Sequence, residues 1–361
     1  MAKTINYSYY YDLDPGNLTI AKDSVFDYLS KYNTLYLDCG RACLKAVAML
    51  YNNAEVLLPD YTCSSVIQGF SSAGKLGFYH VNDDFTIDFQ SLEALITPKV
   101  KLVCVVQFGG KLLPKEQVKR LLELKNKYSF KIVEDATHSL LSAPITFGDY
   151  GICALYKWFP APCGGVLYSN ESINNKLYEN LDQRHDPQRV YAMIMQFFQR
   201  NGLIENTELI SEYFDKFDGE LTEKYNKTNY LTKMPDFDKF VLSCFSVSEI
   251  KNRRISNIKA LVKNINFDTI KPVFNNISDN ECMFIYPIYT DNRDSLKKYL
   301  AENKIFTAVN WNIKNIPHLC ENTVSVKRSE KILALPVNHN YGIDDMVRMA
   351  ELINKWQRIK C

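Results

Sequence analysis

Lys131-Ile132-Val133 is a short apolar run that breaks at once into Glu134 and Asp135 and then, after Ala136-Thr137, into His138-Ser139. A β-branched pair between polar flanks reads as a buried strand. Ligands in open α/β sheets bind beyond the carboxyl ends of the strands, so the residues after each such run carry the interest. Two neighbouring runs repeat the pattern. Leu102-Val103-Cys104-Val105-Val106 is followed by Gln107, and the strand expected over 152–156 is followed by Lys157. Upstream, Val56-Leu57-Leu58 ends at Pro59, and 76–81 gives another strand. Helix signals fall at 41–51 behind Gly40, at 64–72, and after Pro114, where Val118, Leu121 and Leu122 share one face. Strands separated by helices predict an α/β fold with a mostly parallel sheet and crossover connections.

Downstream the pattern changes. Residues 171–235 are helix-rich and charged, and 241–262 reads as one long helix carrying Leu242, Phe245, Ile258 and Leu261. A strand over 283–289, a helix over 294–303 and a strand over 305–311 follow. A final helix carries Met346, Met349, Ala350 and Ile353 at helical spacing. With 361 residues the chain exceeds the roughly 250–300 at which single cores stop growing. A large domain over 1–245 and a smaller α+β domain over 246–361 are expected, the long helix connecting them.

Hydrophobic residues make up 46%, an ordinary globular value, and 43 basic against 41 acidic residues leave a net charge of +2. Nothing in that balance calls for nucleic acid as a partner. Met1-Ala-Lys-Thr-Ile-Asn-Tyr has no apolar run after its lysine, so neither a signal peptide nor a membrane helix is expected there. The ten cysteines are scattered, with no Cys-x-x-Cys pair and no His cluster at zinc-ligand spacing. They read as thiols in a reducing cytoplasm, with no metal site.

The polar residues after the runs combine into one chemistry. Pyridoxal phosphate (PLP) needs a lysine for its Schiff base, a carboxylate for its ring nitrogen and an anion site for its phosphate. Lys157, Asp135 and the helix start at Gly40-Arg41-Ala42, with its backbone N–H groups and positive dipole end, match those needs. Each residue alone also has an ordinary reading: a surface lysine, a helix-capping aspartate, a tight-turn glycine.

Three stretches sharpen the choice. They are Val133 to Ser139, Gly148-Asp149-Tyr150-Gly151, and Lys157-Trp158-Phe159-Pro160-Ala161-Pro162-Cys163-Gly164-Gly165. With Gly40-Arg41-Ala42, the Leu58-Pro59-Asp60-Tyr61-Thr62 turn, Arg253-Arg254, Phe284 to Tyr289 and Leu335-Pro336-Val337, they resemble the DegT/StrS sugar aminotransferases, which have the fold-type-I PLP architecture. The resemblance implies a three-layer large domain and a set of roles. Lys157 would hold PLP and move the proton between the substrate α-carbon and the cofactor C4′. Asp135 would keep the pyridine nitrogen protonated. His138 would hydrogen-bond the phenolic oxygen. Arg41 and Ala42 would present phosphate-binding amides. It also implies glutamate as amino donor, a nucleotide-linked keto sugar as acceptor, and a homodimer, for which the segment 229–233 is the candidate contribution to the partner's site.

The chain departs from the family at three points. Ala154 stands where many members have a phosphate-binding serine. Cys63 stands at or near a position where many stack an aromatic ring, with Tyr61 the nearby ring. The interval from Ala154 to Lys157 is short. Further candidates are Gln107, either a substrate residue or a strand-end hydrogen bond, and Trp311, either facing substrate or buried. Arg253 and Arg254 are expected on a solvated helix face or in an interface ion pair. Within 284–311 the one arginine, Arg293, is expected to point to solvent, and Arg41 is the candidate cation for the donor carboxylate. An aminotransferase acting on a small ketone, and a PLP-binding regulatory protein without turnover, stand as alternatives.

Overall fold

A computed structural model describes residues 4–6, 13–16, 18–142, 144–145, 147–174, 178–183, 187–203 and 231–360. It contains two compact units. One comprises Met1–Tyr7, Tyr51–Gly151 and Ser248–Cys361; the other comprises Ser8–Leu50 and Ile152–Val247.

In the first unit, β3 (Glu55–Pro59), β4 (Lys75–Tyr79), β5 (Val100–Val106) and β6 (Lys131–Asp135) run parallel, β3 pairing with both β4 and β5 and β5 with β6. Their near-continuous apolar runs are what parallel strands covered on both faces require, and Val56, Leu58, Leu102, Val103, Ile132 and Val133 are fully buried. The connections carry α3 (Ser64–Gly69), α4 (Phe89–Leu95) and α5 (Lys115–Tyr128). As the sequence predicts, α5 starts behind Pro114. It stops where Ser129 turns left-handed (φ 59°) and its N–H bonds to the Lys125 carbonyl at 2.8 Å.

The C-terminal stretch of the same unit pairs β10 (Ile285–Tyr289) antiparallel with β12 (Ile332–Pro336) and with the two-residue β9 (Lys271–Pro272). Helices α9 (Arg293–Glu302), α10 (Thr323–Lys331) and α11 (Ile343–Lys360) accompany them. Met346, Met349, Ala350 and Ile353 of α11 are fully buried, the face their spacing predicts. The short β1 (Ile5–Asn6) pairs parallel with β11 (Ile305–Phe306).

In the second unit, β2 (Asn33–Leu37) pairs antiparallel with β8 (Gly165–Ser169), and α1 (Val25–Leu29) is closed by a Ser24–Asp27 capping box. Its other helices are α2 (Gly40–Leu50), α6 (Pro187–Arg200) and α7 (Asp236–Ser243). β7 (Tyr150–Ala154) follows β6 in the chain and spans the boundary between the units. The predicted α/β class and mostly parallel sheet are therefore present.

Two elements differ from the sequence reading. The single helix expected over 241–262 is two, α7 and α8 (Val247–Asn264), interrupted at 244–246. The Val247 N–H bonds to the Asp23 carbonyl at 2.9 Å, and Ser246 with Glu249 three residues on has the spacing of a fresh helix start. The strand expected over 305–311 is paired only at Ile305–Phe306 and again by a bridge from Ala308 to Ala334. No described helix is long and apolar enough to cross a membrane.

Candidate active site

Asp135 and Lys157 lie on different units, so each half of the candidate site is described on its own frame. In the second unit, the first intrahelical bond of α2 runs from the Cys43 N–H to the Cys39 carbonyl at 3.2 Å. The amides of Gly40, Arg41 and Ala42 precede it, the positions from which a helix turn presents donors to an anion. Their surroundings admit almost no side chain. A Cβ on Gly40 would sit 3.2 Å from the Ala154 Cβ, and one on Gly165 would fall onto the Cys39 carbonyl group and 2.7 Å from the Gly40 nitrogen. Gly165→Ala is accordingly expected to cost about 1–3 kcal/mol, the usual range for overpacking. The measurement is the denaturation midpoint, which should fall at unchanged slope; an unaltered midpoint would remove the close-approach argument.

Lys157 ends a one-turn 3-10 segment, Leu155–Lys157, directly after β7. The turn is pinned on both sides. The Leu155 N–H bonds to the Gly164 carbonyl at 2.8 Å, Trp158 and Phe159 both donate back to the Leu155 carbonyl, and both rings are fully buried. Gly164, at φ 133°, donates to the Asp38 carbonyl at 2.7 Å. Lys157 itself is half-buried, between Tyr156, whose ring lies 4.8 Å from the Arg189 guanidinium carbon, and the buried Trp158. Ala154, the last residue of β7, brings no hydroxyl, and the α2 amides remain the candidate anion donors of this unit.

In the first unit, Asp135 is the last residue of β6, 6% exposed, with Oδ1 accepting the Thr137 N–H at 2.9 Å. His138 is 2% exposed, and its Nδ1 accepts the Gly109 N–H at 3.3 Å. Gln107 is buried with both ends of its amide engaged: Nε2 donates to Glu134 Oε1 at 2.5 Å and Oε1 accepts the Leu113 N–H at 3.2 Å. These are hydrogen bonds at the strand end, one of the two readings for Gln107.

Tyr61 is 1% exposed, packed edge-on by Phe85 and Phe108, and donates its hydroxyl to the Asn310 carbonyl at 2.7 Å. Burial pushes its phenol well above the ordinary tyrosine range. Tyr61 thus fastens the segment 310–311 from behind. Trp311 is half-buried and lies parallel to His138, 20° between planes and 5.6 Å between ring centres.

Three arginines differ from expectation or escaped it. Arg253 is exposed as predicted, but Arg254 is fully buried: its Nη1 donates to the Phe284 carbonyl at 3.1 Å, and its guanidinium carbon lies 5.4 Å from the Phe284 ring centre. The face of α8 is therefore not uniformly solvated. The side chain of Arg293 is only 13% exposed, because its Nη1 turns inward to the Ser329 carbonyl at 3.3 Å. Arg328, beyond 284–311, is buried against the rings of Tyr61 and Phe85 and donates to the Val81 carbonyl and to Asp83. Its place in the charged, polar sequence Val326-Lys327-Arg328-Ser329 gave no sign of burial.

The residues fit PLP by donor chemistry. The second unit holds an amine and a helix N-terminus kept clear of side-chain bulk by Gly40 and Gly165; the first holds a buried carboxylate and a buried imidazole at strand ends. Within the proposed dimer segment, the Thr232 carbonyl accepts the Asp38 N–H at 3.0 Å and the Lys233 N–H donates to the Asp182 carbonyl at 2.9 Å; residues 229–230 lie outside the described residues.

A family model described as aminotransferase class I and II matches residues 18–146. GDP-perosamine synthase from Caulobacter vibrioides is 26% identical over 147 residues, which span 38% of this chain and 39% of that protein. Among solved structures, DesV from S. venezuelae superposes with a TM-score of 0.65 over 96% of this chain and 90% of its own, at 16% identity. A DegT DnrJ EryC1 StrS aminotransferase from Brucella abortus gives 0.62 over 96% and 91%, at 17% identity. The chain has the fold of these aminotransferases, the fold-type-I architecture expected from the sequence.

Proposed function

We propose that this chain is a PLP-dependent aminotransferase that moves an amino group from glutamate to a nucleotide-linked keto sugar. The observation that carries the reading is Lys157, held half-buried on a pinned turn at the end of β7, in a chain whose β6 ends in the buried Asp135. When bound, PLP supplies the electron sink for loss of a proton from the substrate α-carbon. Lys157 Nζ would anchor the cofactor and carry that proton. The Asp135 carboxylate would provide the counter-charge at the ring nitrogen, and His138 would hydrogen-bond the phenolic oxygen. The α2 amides of Gly40, Arg41 and Ala42 would hold the phosphate, and the Arg41 side chain would receive the donor carboxylate. Of the two proposed substrate residues, Trp311 is the more exposed, whereas the amide of Gln107 is already engaged. The similarity to GDP-perosamine synthase supports the sugar acceptor. A homodimer, a cytoplasmic location and a division into 1–245 and 246–361 domains belong to the same proposal.

The test is a competition for the pyridoxamine-loaded protein between nucleotide-linked keto sugars and simple 2-keto acids. Return of the cofactor absorbance is expected with at least one nucleotide sugar at a rate well above that with pyruvate or oxaloacetate. If pyruvate or oxaloacetate reacts fast and every nucleotide sugar is inert, the acceptor is a small ketone and the sugar reading fails.

A further inference from the structure

His138 stands in a column of four side chains within one unit. The Arg254 guanidinium carbon lies 5.4 Å from the centre of the Phe284 ring. Phe284 is stacked on the imidazole at 4.5 Å and 16°, and Trp311 is stacked on the imidazole at 5.6 Å and 20°. Both aromatic partners lie near-parallel to the imidazole, so the ring presents its edge to any ligand rather than a face. One nitrogen of that edge is already assigned. A backbone N–H can only donate, so the Gly109 contact at 3.3 Å requires an unprotonated Nδ1 and leaves the proton on Nε2. The same glycine, left-handed at φ 69°, accepts the Phe284 N–H at 2.8 Å. The N–H and C=O of Gly109 thereby tie the imidazole and the backbone of Phe284 to one residue.

We infer that Phe284 and Trp311 are positioning residues that hold His138 as the neutral Nε2–H tautomer, a fixed single-proton donor for an anionic oxygen of the cofactor. The inference rests on the amino-transfer reading for the identity of that acceptor. The charge environment works in the same direction. Among the groups facing His138 are the Gly109 N–H, the rings of Phe108, Phe284 and Trp311, and, beyond Phe284, the buried Arg254 cation. A second positive charge on the imidazole would be desolvated and repelled by that guanidinium. His339 gives an independent sign of the same field: burial, then Arg254 and Arg253, hold its imidazole well below the ordinary histidine range. A neutral His138 donates one hydrogen bond in a defined direction, whereas an imidazolium would also force a donor against the Gly109 N–H.

The experiment is long-range 1H–15N correlation on the full chain with 15N-labelled histidine, five in all. The His138 signals are identified by their loss in His138→Gln. Near pH 7 the wild-type protein, without added cofactor, should show His138 in one neutral tautomer with the proton on Nε2. Trp311→Leu should lower the tautomer preference at least tenfold, and Trp311→Phe, which keeps a flat ring, should restore it. An Nδ1–H tautomer or an imidazolium in the wild-type protein overturns the inference, and so does a Trp311→Leu spectrum identical to wild type. The wild-type reading needs no variant to fold. Inert half-reactions beside an intact tautomer pattern would instead count against amino transfer alone.

Discussion

Lys157→Arg is expected to abolish amino transfer while leaving the fold intact. Arginine keeps the charge and most of the length of lysine, but its guanidinium stays protonated at any working pH and forms no Schiff base. The half-buried side chain at the end of the 3-10 turn tolerates that exchange, because the turn is held by backbone bonds to Gly164 and by the buried Trp158 and Phe159. Melting temperature should therefore change little. Turnover should fall by at least about 10⁴, the upper range for a lost acid–base group, since this lysine also serves as anchor. Borohydride reduction followed by peptide mapping should place the pyridoxyl label on Lys157 in the wild-type protein and leave the variant unlabelled. A label on any other lysine, or a variant with more than about a tenth of wild-type activity, would end the assignment.

How much of this was readable in advance depends on the kind of signal each residue leaves. The runs in β3, β5 and β6 are apolar on both faces, so their strands and their polar C-terminal neighbours stood out. Helix α11 showed its buried face because four apolar residues recur at helical spacing. The antiparallel β2–β8 pair did not stand out: Asn33-Thr34-Leu35-Tyr36-Leu37 is mostly half-buried, without a continuous apolar run. The single long helix failed because apolar spacing alone bridges the gap at 244–246, whereas the start signal at Ser246 is local. Least readable were the buried cations. Arg254 and Arg328 are held by backbone carbonyls and aromatic rings far away in sequence, and nothing in their neighbours marks them. The stack that orients His138 has the same origin, since Phe284 and Trp311 reach it from elements more than a hundred residues downstream.

Asp135→Asn is expected to bind the cofactor and yet lose its chemistry. The exchange is nearly isosteric, and the amide oxygen can still accept the Thr137 N–H that Oδ1 now takes at 2.9 Å, so the end of β6 should keep its shape. What disappears is one negative charge at a site only 6% exposed, where solvent screens little. A ring nitrogen beside a neutral amide has no reason to stay protonated, and an unprotonated ring is a poor acceptor for the electrons that a departing proton leaves behind. On the proposed roles, cofactor capture would fall to Lys157 and the α2 amides, which lie outside this strand, so borohydride labelling of Lys157 should persist. The half-reaction with glutamate should slow about 10²–10³-fold, the cost typical of removing one preorganised electrostatic partner. Single-turnover kinetics on the cofactor-loaded variant separates the two effects: near-normal half-reaction rates would refute the role, and loss of cofactor with no labelling would make Asp135 a binding residue instead. A variant that labels normally and reacts slowly assigns the carboxylate to the ring nitrogen, because no purely structural defect at the end of β6 would spare the attachment and remove only the proton-transfer step.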